Sequence, residues 1–182
     1  MNGETPPAAA SEQAREQLDR RVDPQVYDEI RELWKRHSIA EEHRDLPGLI
    51  TTLAEDCVYE IPAWKKRWDG HAGAREFYNG LLTAFPDIHF ALKEIVIGPQ
   101  GVCEEALVTA THARDWLGVP ARGHRLEFTV VIFFPWHANT GLFAGERIHV
   151  AGLGLNGCPY GRTSFSPGCT MSPASRFRCS SR

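Results

Sequence analysis

IHFALKEIVI (88–97), VCEEALVTATHARDW (102–116) and GHRLEFTVVIFF (123–134) follow one another with only short connections between them. Each run is long and rich in β-branched and aromatic residues, and Gly98-Pro99-Gln100-Gly101 and Gly118-Val119-Pro120 punctuate them as turns. That pattern predicts antiparallel strands in meander order. In the last run Leu126, Phe128, Val130, Ile132 and Phe134 share one face, with Glu127, Thr129, Val131 and Phe133 on the other. Both faces are largely apolar, so the strand is expected to be central and covered on both sides. Just upstream, residues 70–85 carry Ala74, Phe77, Tyr78, Leu81, Leu82 and Phe85 at helical spacing, and Pro86 ends the helix. A twisted sheet with a helix on one face makes a concave wall, and chemistry is expected in that concavity.

Outward from this block, Asp23-Pro24 reads as an N-cap followed by proline in the first turn. Val26, Ile30, Leu33, Trp34 and His37 then form one face at helical period. A short helix over 49–54, a strand over 57–61 ended by Pro62, and an amphiphilic loop or lip over 63–69 follow. Residues 136–140 make a turn and 142–150 a final strand. The expected order is α-α-β-α-β-β-β-β, an α+β domain over 24–151. Residues 1–23 lack an apolar stripe and read as a flexible leader that turns helical near its end. From 152 to 182 no Asp or Glu occurs while Ser, Pro, Gly, Cys and Arg accumulate, which predicts disorder.

The totals narrow the function classes. With 182 residues, 42% apolar and 24% charged, the chain suits one domain with a real core. Its 20 basic residues are matched by 23 acidic ones, interleaved up to Arg147, so nucleic acid is not an expected partner. No apolar run approaches the roughly 20 residues that span a bilayer, and the polar start lacks a signal-peptide core, so no membrane partner and a cytoplasmic location are expected. Cys57 and Cys103 sit inside strand patterns as small apolar residues; Cys158, Cys169 and Cys179 lie in the tail, and no cysteine or histidine spacing signals a metal. Gly152-Leu153-Gly154-Leu155-Asn156-Gly157 spells a dinucleotide fingerprint without the helix that must follow it, and carries no cofactor assignment.

Several blocks together resemble the nuclear transport factor 2-like superfamily, closest to its SnoaL-like polyketide cyclase branch. They are Trp34…His37…Ala40-Glu41…Arg44-Asp45, Asp56-Cys57-Val58-Tyr59-Glu60, Asp69-Gly70-His71-Ala72-Gly73-Ala74-Arg75-Glu76-Phe77-Tyr78, Phe85-Pro86-Asp87, Thr109-Ala110-Thr111-His112, Trp116-Leu117-Gly118 and Gly145-Glu146-Arg147-Ile148. The resemblance implies a cone-shaped roll, with a curved antiparallel sheet wrapped around a long N-terminal helix, a mostly apolar cavity and a homodimer. It also implies cofactor-free, metal-free acid/base chemistry beside a carbonyl, cyclisation or isomerisation, typically from an aspartate on the last strand. Here His149-Val150-Ala151-Gly152-Leu153 stand where the family places that acid.

Acid/base work needs a titratable group in an apolar pocket, where desolvation shifts its pKa toward neutrality. Glu127, alone in an otherwise apolar strand, is the carboxylate candidate; its alternative is an ion pair with Arg114 or Arg125. His112 shares a face with Ala106, Val108 and Ala110, small residues that leave room for a ligand. His37 lies one turn from Trp34 on the apolar stripe; its alternative is a core histidine hydrogen-bonded to the backbone. These three are the expected catalytic set, with Trp34, Tyr59, Trp68, Tyr78 and Trp116 shaping a site for a hydrophobic small molecule. Glu146, placed in a turn, is expected to be exposed. A non-catalytic ligand-binding or dimerisation module, or an inactive relative, remains the alternative function.

Overall fold

The structure, a computed structural model, describes residues 8–21 and 23–151. The expectations for residues 152–182, including the tail cysteines and the glycine-rich Gly152–Gly157 hexapeptide, lie outside the described residues. Four helices and six strands alternate as α1 (Ala8–Asp19), α2 (Pro24–Glu42), α3 (Leu46–Ile50), β1 (Leu53–Ile61), β2 (Lys66–Asp69), α4 (Gly70–Ala84), β3 (His89–Gly98), β4 (Gly101–Thr111), β5 (Arg125–His137) and β6 (Leu142–Ala151). Asp23 caps α2 as its sequence predicts, its side chain accepting from the backbone N–H groups of Gln25 and Val26. Ile30, Leu33, His37 and Ala40 are the buried stripe of that helix.

One segment extends the sequence expectation and another differs from it. The leader holds a 12-residue helix, α1, because its Ala, Glu, Gln and Arg residues are strong helix formers even without an apolar stripe. The Gln100 side chain donates to the Gln17 carbonyl and side-chain oxygens, tying α1 to the turn between β3 and β4. The segment read as a loop holds a 3-10 turn over Pro62–Trp64 and then β2, which pairs antiparallel with β1 from Val58↔Asp69 to Ile61↔Lys66.

All six strands form one curved, open sheet in the order β2-β1-β6-β5-β4-β3. The meander β3–β6 is antiparallel throughout, and β5 is interior between β4 and β6. The β1–β6 pair is parallel, and Gly145 is what lets the two strands meet. Its φ is +113°, and a Cβ there would collide with the Val58 backbone. Register shifts in β3–β4 and β5–β6 bend the sheet, and α2 and α4 pack into the concavity. Among the described residues no helix is long and apolar enough to cross a membrane.

Candidate functional site

Strand alternation decides what reaches the hollow. On β4 the inward positions are Val102, Glu104, Ala106, Val108 and Ala110, all buried; on β5 they are Leu126, Phe128, Val130, Ile132 and Phe134; on β6 they are Glu146, Ile148 and Val150. Of these, Val108, Leu126, Phe128, Val130, Ile132, Ile148 and Val150, with Phe77 and Leu81 of α4, line a cavity of about 510 Å³, and Glu104 and Glu146 lie outside its lining. That volume is within the range of small-molecule sites. Its inner wall is apolar, including Ile61, Phe77, Leu81, Val108, Val130, Ile132 and Ile148. Its mouth is marked by exposed lining residues, Lys66, Val119, Pro120, Arg122 and His124.

Part of the mouth is a small hairpin in the β4–β5 connection. Trp116 and Val119 exchange both backbone hydrogen bonds, at 3.1 and 2.9 Å, across Leu117 and Gly118. Leu117 and Gly118 have φ of +50° and +84°, the signature of a two-residue type I′ turn. The indole of Trp116 that this turn projects stands edge-on to Phe85 at 5.3 Å and to Trp64 at 5.9 Å. An aromatic rim results.

His112 sits at the base of that hairpin and lines the cavity. Its backbone is fixed by hydrogen bonds to His124 and from Gly123, both at 3.0 Å, and its ring is stacked on Phe85 at 5.0 Å. The residue is 8% exposed, and its Nε2 is buried with no hydrogen-bond partner. A buried polar atom left unpaired costs about 1–3 kcal/mol, so such atoms are rare in a native fold.

Behind the cavity floor lies a second, polar cluster. Tyr59 of β1 is registered with Glu146 of β6, and the next inward positions of the same strands, Ile61 and Ile148, line the cavity. Tyr78 Oη donates to Glu146 Oε1 at 2.6 Å, and His37 Nε2 is 3.0 Å from the same oxygen. His37 Nδ1 lies 2.6 Å from Thr52 Oγ1, which is also 2.6 Å from the Leu49 carbonyl. A carbonyl cannot donate, so the Thr52 hydroxyl donates to the Leu49 carbonyl and accepts from His37 Nδ1–H, which leaves His37 Nε2 facing Glu146 Oε1.

Carboxyls crowd this cluster. Glu104 accepts from Trp34 Nε1–H at 2.8 Å; burial pushes its carboxyl up to about 7, the Trp34 hydrogen bond opposes this, and the charge of Glu146 adds to it. Burial, then the charges of Glu146 and Glu104, hold Glu41 well above the usual carboxylate range. Burial and the Glu146 charge likewise raise Tyr59 and Tyr78, so both phenols stay neutral. Within the cluster Tyr59 Oη is buried without a hydrogen-bond partner, and in the cavity wall the same holds for His112 Nε2. Among the described residues no group of three His, Cys, Asp or Glu side chains is placed to hold a metal ion.

A profile of the SnoaL-like polyketide cyclase family matches residues 24–139. The chain belongs to this family. Solved structures of the same fold include AclR from Streptomyces galilaeus, at 24% identity over 68% of this chain and 90% of that one, with a TM-score of 0.56. A protein from Jannaschia sp. CCS1 classed with the SnoaL-like polyketide cyclases matches at 16% identity over 72% and 91%, with a TM-score of 0.63. TerC, co-crystallised with polyporic acid, matches at 17% over 66% and 89%, with a TM-score of 0.54. No curated protein matches the sequence.

Within this SnoaL-like domain the expected site residues separate into distinct environments. His112 and Trp116 line the cavity. His37, Tyr59, Tyr78 and Trp34 belong to the polar cluster or its edge and do not line it; Trp68 packs edge-on against Phe77 at 5.1 Å and faces a surface depression beside Lys66, Arg67 and Asp69. Glu127 is a correction: it is exposed, because its neighbours Leu126 and Phe128 take the concave face and a strand sends alternate residues to opposite sides. Nor does it pair with Arg125, which holds Asp87 at 3.0 Å. Glu146 is the opposite correction: it is 3% exposed, because Gly145 docks β6 onto β1 and turns an expected hairpin corner into an interior strand position. The signal for it was Gly145 itself, a glycine inside a strand pattern that marks close approach of another backbone.

Proposed function

We propose that the cavity binds a hydrophobic carbonyl compound and that His112 moves a proton beside that carbonyl, the cofactor-free acid/base step of a cyclase or isomerase. The observation that carries this is the buried, unpaired Nε2 of His112 in an otherwise apolar wall. An imidazole is suited to the task because it both accepts and donates a proton near neutral pH. Phe85 holds the ring plane, so the nitrogen needs no reorganisation before proton transfer. Membership in the SnoaL-like family supports the reaction class, and TerC, a structure of the same fold, was co-crystallised with polyporic acid.

A specific observation favours a second function, a non-catalytic carrier: among the described residues no carboxylate lines the cavity, and Ile148 and Val150 occupy its last-strand wall. One experiment separates the two. A panel of polycyclic ketones is titrated against tryptophan fluorescence, and exchange of their α-protons with deuterated water is followed by NMR with wild type and His112→Phe. Catalysis predicts exchange that falls on the order of 10²-fold or more in the variant while binding changes little. Binding with no exchange in wild type, or exchange unaltered by the variant, refutes the catalytic role of His112.

A further inference from the structure

We infer that the cavity's ligand carries an acidic oxygen group, a carboxylate or an equivalent monoanion, held at the mouth by Lys66 and Arg122 while its apolar body fills the interior. This rests on the cavity being the ligand site. The chain as a whole is slightly acidic, with a formal charge of −3, yet every ionisable side chain lining the cavity is basic: Lys66, His112, Arg122 and His124. Among the described residues no Asp or Glu lines it.

The placement of these groups matters as much as their sign. Lys66 opens β2 on one side of the mouth, and Arg122 and His124 lie on the β4–β5 connection. Among the described residues neither Lys66 nor Arg122 makes an ion pair, although Arg67 and Arg125 close to them in sequence do. Arg67 is 2.7 Å from Asp69, and Arg125 is 3.0 Å from Asp87. Asp115, the acid within the same connection, has Oδ1 engaged by the Ala121 backbone N–H at 2.8 Å. Two cations thus flank an opening with apolar, low-dielectric walls, an arrangement that focuses positive potential into it. A neutral ligand gains nothing from that field; an anion does.

The test uses the full chain and two ligands of one shape, an anthracenecarboxylate and its methyl ester, titrated calorimetrically with wild type and a Lys66→Gln/Arg122→Gln double variant. Two solvent-exposed charge contacts are worth together about tenfold in affinity. The acid is therefore expected to bind wild type about tenfold tighter than the ester, a preference that shrinks between roughly 0.05 and 0.3 M salt. In the double variant the preference disappears while ester affinity holds, which shows the cavity intact. Equal binding of acid and ester by wild type, or a preference that survives the double variant, overturns the anion inference and leaves the ligand site standing. Failure of both compounds to bind overturns the ligand site and the inference together.

Discussion

Glu104→Gln is expected to stabilise the domain at pH 8 by roughly 3 kcal/mol and to leave it unchanged near pH 4. In the folded protein the Glu104 carboxyl is raised from 4.5 to about 7, chiefly by burial. For an acid with a raised folded pKa, both states hold the proton below about 4.5 and the group contributes nothing to pH dependence. Between 4.5 and about 7 the unfolded chain releases the proton while the folded chain keeps it, so stability falls; above about 7 the loss is complete. At 1.36 kcal/mol per pKa unit the shift corresponds to about 3 kcal/mol. Glutamine is the isostere of the protonated acid and still accepts from Trp34 Nε1–H, so it removes the ionisation without breaking the 2.8 Å contact. It also relieves Glu41, whose carboxyl is raised in part by the Glu104 charge. Urea unfolding followed by circular dichroism at both pH values measures the difference. A variant no more stable than wild type at pH 8, or one whose gain is the same at both, refutes the placement of an ionisable carboxyl in that environment.

His37→Ala removes a ring packed edge-on against Phe134 and Phe143 and takes one of two hydrogen-bond partners from each of Glu146 and Thr52; a loss of about 3–5 kcal/mol in urea unfolding is expected. Gly145→Ala forces a Cβ into the Val58 backbone at a left-handed φ, and a cost of about 3 kcal/mol or more should appear as lost soluble yield or a lowered Tm. Burial pushes the Cys57 thiol up to about 11, so peptide mapping after iodoacetamide treatment at pH 8 should find Cys57 unmodified in the folded protein and modified in urea.

Secondary structure was legible wherever one periodicity dominated. The stripe Ile30-Leu33-His37 in α2 and the alternation Leu126-Phe128-Val130-Ile132-Phe134 in β5 fall where their spacing predicts. His112, whose strand face is readable from Ala106, Val108 and Ala110, and Trp116, beside a turn signal, line the cavity. Lys66–Asp69 was not: a strand of four residues is too short to show a period, and only pairing with β1 makes it one.

Glu127 and Glu146 show where local pattern stops being informative. In β5 both faces are apolar, so alternation separates Glu127 from Phe128 but does not say which of them looks inward. The curvature of the whole sheet decides that. Glu146 is buried by a parallel partner, β1, that lies almost ninety positions away at Tyr59↔Glu146, a contact with no short-range trace except Gly145. The sequence by itself therefore determined most of the elements and their order, because these rest on spacing within a few residues, while the cone was implied by the family resemblance and not by spacing. Tertiary structure alone decided which side of the sheet is concave and which distant side chains share the hollow, because register and curvature are set by contacts between strands far apart in the chain.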